Sequence, residues 1–288
     1  MVVNYQDQIE NFINSNNFSR HTIRMYRSEL VAFLEFLDKK PLTRTNVANY
    51  LKRLRGKDRK NRTIKHHLTS IRCFSKWLWE EDILSEKEYK KIRGYNIRLD
   101  PGDDNRRALT IEEEKHGYQV LRNPLLRMLF WTGLHYGLRI SEYINLTLQD
   151  LDLDQRVLTI RHSKGNKTRR IKILKTHIPI WEEWLKTREA YQVDHDYIFF
   201  TDTGKAATRT LSYYFNKISQ MIINPKNGKI TSHSLRYTFA VKCWRGGMDL
   251  FVLSKILGHA SLQTTQTYLR VTEEEVLEKY EEQASKIL

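Results

Sequence analysis

His233 and Arg236 stand three residues apart in the run Thr231-Ser-His-Ser-Leu-Arg-Tyr-Thr-Phe-Ala240. His259 follows in Leu257-Gly-His259, and Tyr268 comes nine residues after it. Residues three apart are neighbours on a helix, so His233 and Arg236 would share a face there. A His–Arg–His–Tyr series in this order predicts a site that grips a phosphate and attacks it with a phenol. Taken singly, each member has a plainer reading: Tyr268 as a packing aromatic, His259 as a helix-terminal residue after Gly258. The ordered combination outweighs them.

Two stretches upstream must position partners for this series. Pro124 opens a nearly all-apolar segment through Trp131, read as a buried helix. It leads into Thr132-Gly-Leu-His-Tyr-Gly-Leu-Arg-Ile-Ser-Glu142, whose two glycines predict a tight turn that presents Arg139 and begins the helix carrying Glu142. From residue 148 to 173 the texture turns β-like, with runs at Leu151–Leu153, Val157–Arg161 and Arg169–Ile173. Gly165-Asn166 is a turn signal between the last two, and it sets Lys164 at or near a hairpin tip. Alone, Lys164 reads as a solubilising residue in an exposed turn, and Glu142 as a surface carboxylate.

The remaining chain supplies the frame. At 288 residues it is long enough for two domains with separate cores, and 40% hydrophobic content argues against disorder. A formal charge of +15 and a pI near 9.7 point to a polyanionic partner, most often nucleic acid. Cys73 and Cys243 lie far apart within apolar helical patterns, which predicts two buried free thiols and neither a disulfide framework nor a metal site. No signal-peptide pattern opens the sequence and no apolar run approaches the ~18 residues of a membrane span, so the cytoplasm is expected.

Residues 1–94 read as a helical bundle. Ile23, Tyr26, Leu30, Phe33, Leu34 and Leu37 form one apolar stripe after Ser19 as N-cap, and Ile64, Leu68, Ile71, Phe74 and Leu78 form another. Between Lys52 and Lys76, the cations Arg53, Arg55, Lys57, Arg59, Lys60, Arg62, Lys65 and Arg72 are opposed by Asp58 alone. Clustered about one inter-helix loop and the helix after it, they are the expected DNA contacts, with Arg and Lys on phosphates. Residues 95–107, containing Asp100-Pro-Gly-Asp-Asp-Asn105, read as a linker. Residues 108–288 then form a mixed domain. Its final helix, 272–288, starts with Thr272 and Glu275 in capping-box spacing and pairs an apolar stripe with an acidic face. The fold class expected is mainly α with a small antiparallel sheet, α+β.

The ordered set Arg139, Glu142, Lys164, His233-x-x-Arg236, Gly258-His259 and Tyr268 resembles the signature of the tyrosine recombinase (phage integrase) family. Gly137-Leu-Arg-Ile-Ser-Glu142, Ser163-Lys-Gly-Asn-Lys167 and Leu257-Gly-His-Ala-Ser-Leu-Gln-Thr-Thr-Gln266 are similar to its Xer branch in particular. The motifs span residues 130 to 270, and the first hundred residues are similar to the family's core-binding domain. Departures are small: Tyr136 stands where the family usually has Thr, and Tyr237 follows Arg236 where His is common.

The chemistry suits these residues. A phosphodiester repels nucleophiles by its own charge, and its transition state gathers more charge on the oxygens. Arg139 and Arg236 can bind the non-bridging oxygens in fork geometry at any working pH. Tyr268 as nucleophile would leave a 3′-phosphotyrosyl bond that conserves the energy of the broken linkage, so ATP is not needed. The resemblance implies that Lys164 is the general acid for the leaving 5′-oxygen and that Glu142 orients the Arg or His side chains. His233 would assist proton transfer at Tyr268 or bond the phosphate, and His259 would donate a further hydrogen bond to it. No carboxylate cluster for a metal and no nucleotide-binding loop accompanies them, so neither metal nor cofactor is expected.

The resemblance further implies a C-shaped clamp on duplex DNA. Four protomers would hold two palindromic sites and exchange strands through a Holliday junction, in resolution of chromosome or plasmid dimers and thus in chromosome partition during the cell cycle. DNA integration by a phage or mobile-element enzyme is the runner-up, and lack of an added N-terminal arm-binding domain favours the simpler Xer role. A catalytically silent DNA-binding protein and a type IB topoisomerase-like nicking–closing enzyme are the readings from other classes.

Overall fold

The computed structural model describes residues 5–57, 59–97, 107–161, 168–201, 204–224, 228–259, 261–269, 277 and 281, with the side chains of 267 and 268 left out. The chain divides into two compact units, Met1–Asn105 and Arg106–Leu288.

In the first unit five helices form a bundle: α1 (Tyr5–Asn14), α2 (Arg20–Leu37), α3 (Arg44–Gly56), α4 (Asn61–Glu80) and α5 (Glu86–Gly94). Short polar side chains set the starts. Ser19, Thr43 and Ser85 each accept a hydrogen bond from a first-turn N–H, relieving donors that have no partner within the helix. Asp38, in left-handed geometry, closes α2. The predicted stripes of α2 and α4 meet in the core, where Leu30, Phe33, Ile64, Phe74 and Leu78 are fully buried. Cys73 and Cys243 are free, as expected, but half-buried.

The second unit begins with α6 (Ile111–Val120), whose start carries the capping box of Thr110 and Glu113. Then come α7 (Pro124–Tyr136) and α8 (Ile140–Asn145). A 3-10 turn at Leu148–Asp150 leads into the antiparallel sheet β1 (Leu151–Asp152), β2 (Val157–Ile160) and β3 (Arg169–Lys172), in the order β1-β2-β3. After α9 (Ile178–Ala190), β4 (Phe200–Thr201) pairs with β5 (Gly204–Lys205). Helices α10 (Thr208–Ile222), α11 (Ser232–Arg245), α12 (Leu250–Leu257) and α13 (Leu262–Leu269) complete it. Among the described residues no helix is long and apolar enough to cross a membrane.

The glycines before Arg139 divide the work expected of both. Gly137 makes the turn, ending α7 at φ 58° in the left-handed region that favours glycine. Gly133 lies inside α7 instead, where α11 crosses: a Cβ on it would sit 2.7 Å from Leu235 Cβ and 2.8 Å from Tyr143 Oη. Close approach of two helices is what that glycine permits. The expected hairpin tip with Lys164, the linker core 98–106 and most of the 272–288 helix lie outside the described residues.

Candidate active site

The site is assembled around one carboxylate. Glu142 is the third residue of α8, and its Oε2 accepts the backbone N–H of Arg139 at 2.8 Å, closing the helix start. Its Oε1 accepts from Arg139 Nη1 at 2.9 Å. Arg169 on β3 adds two parallel bonds, Nη1 to Oε1 at 2.6 Å and Nη2 to Oε2 at 2.8 Å. Arg236, from the first half of α11, brings Nη1 to 3.7 Å of Oε2. The start of α8, β3 and α11 thus converge on one side chain, which is fully buried.

Backbone carbonyls hold the guanidiniums from the other side. Arg236 donates to Gly137 O at 2.7 Å and to Leu257 O. Arg139 donates through Nη2 to Gly258 O at 3.0 Å. The turn that Gly137 makes and the end of α12 are therefore tied to the same pair of arginines. Arg139 is the guanidinium most open to an incoming phosphate, since its side chain is 18% exposed against 2% for Arg236.

Three guanidiniums against one carboxylate leave an excess of two positive charges in a largely buried place. Burial pushes the Glu142 carboxyl up, but the bonds and charge of Arg169, the Arg139 N–H and the charge of Arg236 outweigh it and hold its pKa at about 2. His259 is pushed the other way, down to about 4, first by burial and then by Arg236, Arg139 and Arg169. Its imidazole is neutral at pH 7. His259 Nδ1 lies 2.8 Å from the hydroxyl of Thr265, itself buried in α13. With that hydroxyl donating, the ring proton stands on Nε2, the geometry of a neutral hydrogen-bond donor.

Of the residues singled out in the sequence, Arg139, Glu142, Arg236 and His259 come together here. His233 and Arg236 sit on α11 three residues apart, yet differ in setting: His233 is exposed in the first turn while Arg236 is buried. The backbone of Tyr268 lies in α13, six residues after Leu262 opens that helix, and its side chain is not described. Lys164 lies outside the described residues. In the first unit Arg53, Arg55, Lys57, Arg59, Lys60, Arg62 and Lys65 are exposed around the α3–α4 connection. Arg72 differs. It is half-buried and donates to Tyr95 O and, at 2.9 Å, to Asn96 Oδ1, so it ties α4 to the end of α5.

Two participants were not foreseen. Thr265 lies within the run Leu257–Gln266, and nothing in its type or spacing marks it out. Arg169 was read as the first residue of a strand, and strand parity holds the signal that identifies it. Arg169 pairs with buried Ile160 and shares a face with buried Ile171, whereas Arg170 and Lys172 face out. An arginine on the apolar face of a strand needs a buried counter-charge, and Glu142 is that charge. The two departures from the family pattern also find partners. Tyr136 Oη accepts from Trp181 Nε1 at 3.0 Å and meets His177 Nδ1 at 3.0 Å. Tyr237 reaches Leu269 O at 3.5 Å, linking α11 to the residue after Tyr268.

Residues 111–275 match the phage integrase family, and residues 4–82 match the phage integrase N-terminal SAM-like domain. Tyrosine recombinase XerC of Staphylococcus carnosus is 29% identical over 288 residues, covering 96% of this chain and 93% of that protein. Tyrosine recombinase XerA of Pyrococcus furiosus is also 29% identical, over 96% of this chain and 92% of its own length. The fold matches that of the Tn1549 transposon integrase in complex with transposon right end DNA, with a TM-score of 0.79 at 17% identity over 97% of this chain and 98% of the other. With a family match over residues 111–275 and relatives aligned across nearly the whole length, this chain belongs to the phage integrase family and is a Xer-type tyrosine recombinase, catalysing site-specific DNA strand cleavage and rejoining.

Proposed function

We propose that Arg139 and Arg236 clamp the non-bridging oxygens of the scissile phosphate while the phenol of Tyr268 attacks it. The observation that carries this reading is the cluster around Glu142, which keeps two positive charges in excess next to the turn bearing His259. A diester phosphate supplies the missing negative charge, and more of it develops in the transition state. Losing one preorganised donor of this kind costs roughly a hundred- to a thousand-fold in rate. His259 donates from Nε2 to the phosphate as a neutral ring, and His233 assists proton transfer near Tyr268. Lys164 protonates the leaving 5′-oxygen, and the product is a 3′-phosphotyrosyl bond that the freed 5′-hydroxyl of a second strand attacks in turn.

In this reading residues 1–94 form the core DNA-binding domain, with the exposed cations of α3 and α4 on duplex phosphates, and 108–288 form the catalytic domain. Four protomers hold two short palindromic sites in the cytoplasm, pass through a Holliday junction and resolve chromosome or plasmid dimers. The 272–288 helix docks on a neighbouring protomer. A nicked suicide duplex tests the core of the proposal. Wild type traps as a covalent adduct in the presence of chelator. Arg139→Ala and Arg236→Ala bind the duplex and trap at least about a hundred-fold more slowly. Adduct that forms only when magnesium is added, or a wild-type trapping rate in either variant, refutes it.

A further inference from the structure

Arg169 is the one guanidinium of the cluster to which the reading above gives no task. Its donors are committed to the carboxylate. Both Nη atoms are engaged with Glu142, at 2.6 and 2.8 Å, and the side chain is 8% exposed. Its Nε is buried and has no hydrogen-bond partner among the described residues. The fork is closed on the carboxylate.

Glu142 is correspondingly full. An ionised carboxylate has about four lone-pair sites. Arg169 takes one on each oxygen, Arg139 Nη1 takes a second on Oε1, and the Arg139 N–H takes a second on Oε2. A bidentate guanidinium is coplanar with its carboxylate and permits one orientation, whereas a single ammonium would let the carboxylate turn. The plane of Glu142 in turn decides where Arg139 hangs, and Arg139 reaches on to Gly258 O, one residue before His259.

We propose that Arg169 is a positioning residue for strand cleavage. It locks the Glu142 carboxylate in one plane, and through it holds Arg139 and the Gly258–His259 turn in the geometry the phosphate requires. This rests on the assignment of Arg139 to the clamp. Folding does not depend on it in the same way, because Glu142 keeps Arg139 and Arg236 as counter-charges when Arg169 is replaced.

Arg169→Lys and Arg169→Met decide the matter, assayed on suicide duplexes with an ordinary bridging 5′-oxygen and with a bridging 5′-sulfur. DNA affinity should stay within about threefold of wild type, since phosphate contacts elsewhere carry binding. Adduct formation should fall about a hundred-fold for both variants, the scale of a misplacement near 1 Å. Sulfur should rescue neither, because a better leaving group does not repair a clamp. Recovery of wild-type rate by Arg169→Lys would make charge, and not position, the contribution. Rescue by sulfur would move Arg169 to the leaving-group side. Either result, or an unchanged rate, overturns the proposal. A second readout needs no DNA: modification of Arg139 by phenylglyoxal, followed by peptide mapping, should be faster in Arg169→Lys than in wild type. An unchanged rate overturns the lock even if wild type forms no adduct, a result that by itself would refute the strand-cleavage reading instead.

Discussion

Gly258→Ala separates backbone strain from damage to the arginine cluster. Gly258 ends α12 at φ 64°, a left-handed conformation that costs an L-residue about 1–2 kcal/mol. For a unit of this size about 1 kcal/mol moves Tm by roughly 2–4 °C, so strain alone predicts a loss of roughly 2–8 °C. The added Cβ would also stand 3.2 Å from Arg169 Nη1, 3.3 Å from Arg169 Cδ and 3.5 Å from Arg139 Nη1. The two Arg169 atoms must give by a few tenths of an ångström, while Arg139 Nη1 is in ordinary contact. If ~1 Å of misplacement costs about a hundred-fold, such a shift costs on the order of tenfold in cleavage rate. Gly247→Ala is the control: Gly247 has φ 88°, and nothing lies within 4 Å of its added Cβ. Thermal melts and suicide-substrate trapping on both variants should show a similar loss of Tm, with loss of rate in Gly258→Ala alone. Equal rates in the two variants would refute the argument that Gly258 is packed against the clamp for a catalytic reason.

Glu142→Ala removes the one carboxylate that three guanidiniums share. Breaking a buried pair costs about 3–5 kcal/mol, so Tm should fall by roughly 6–20 °C at about 2–4 °C per kcal/mol. Added inorganic phosphate should restore part of it, and no restoration would contradict the charge count. His135, His177 and His259 all lie below the ordinary imidazole value because burial disfavours their charged forms, His135 and His259 at about 4. The unfolded chain binds protons at these sites near pH 6.5 and the folded chain resists, so their contribution to stability is complete above that pH and is lost as pH falls toward 4. Urea midpoints should fall steadily from about pH 7.5 to about pH 4.5, and a His135→Gln variant should fall less steeply. A flat profile would contradict it. Lys164→Ala should cleave a bridging-sulfur substrate nearly as fast as wild type, since a thiolate leaves without a proton, while Arg139→Ala stays slow on it. Rescue of Lys167→Ala in its place would transfer the acid's role to Lys167.

Helices were legible wherever a local signal and a tertiary need coincided. Ser19 caps α2 as its place before the stripe announces, and the stripes of α2 and α4 face the core they predict. Gly133 was not legible as a contact, because a glycine that permits close approach is defined by α11, a hundred residues away in sequence. Arg72 and the other cations of the basic run look alike in sequence. What separates Arg72 is the end of α5 folding back beneath its guanidinium. Arg169 shows the limit most clearly, since strand parity says that it faces inward but not that Glu142 waits there. Arg139, Glu142, Arg236 and His259 were legible as an ordered set, and the buried fork of Arg169 on Glu142 was not.

The central claim is that the phenol of Tyr268 forms the covalent bond to DNA. Wild-type protein trapped on a nicked suicide duplex in chelator, digested with trypsin and nuclease, should yield one nucleotide-modified peptide, and fragmentation should place the phosphate on Tyr268. Tyr268→Phe should bind the same duplex as wild type does and yield no such peptide. A modified peptide that maps to Tyr237 or Tyr280, or an adduct that survives Tyr268→Phe, would contradict the account.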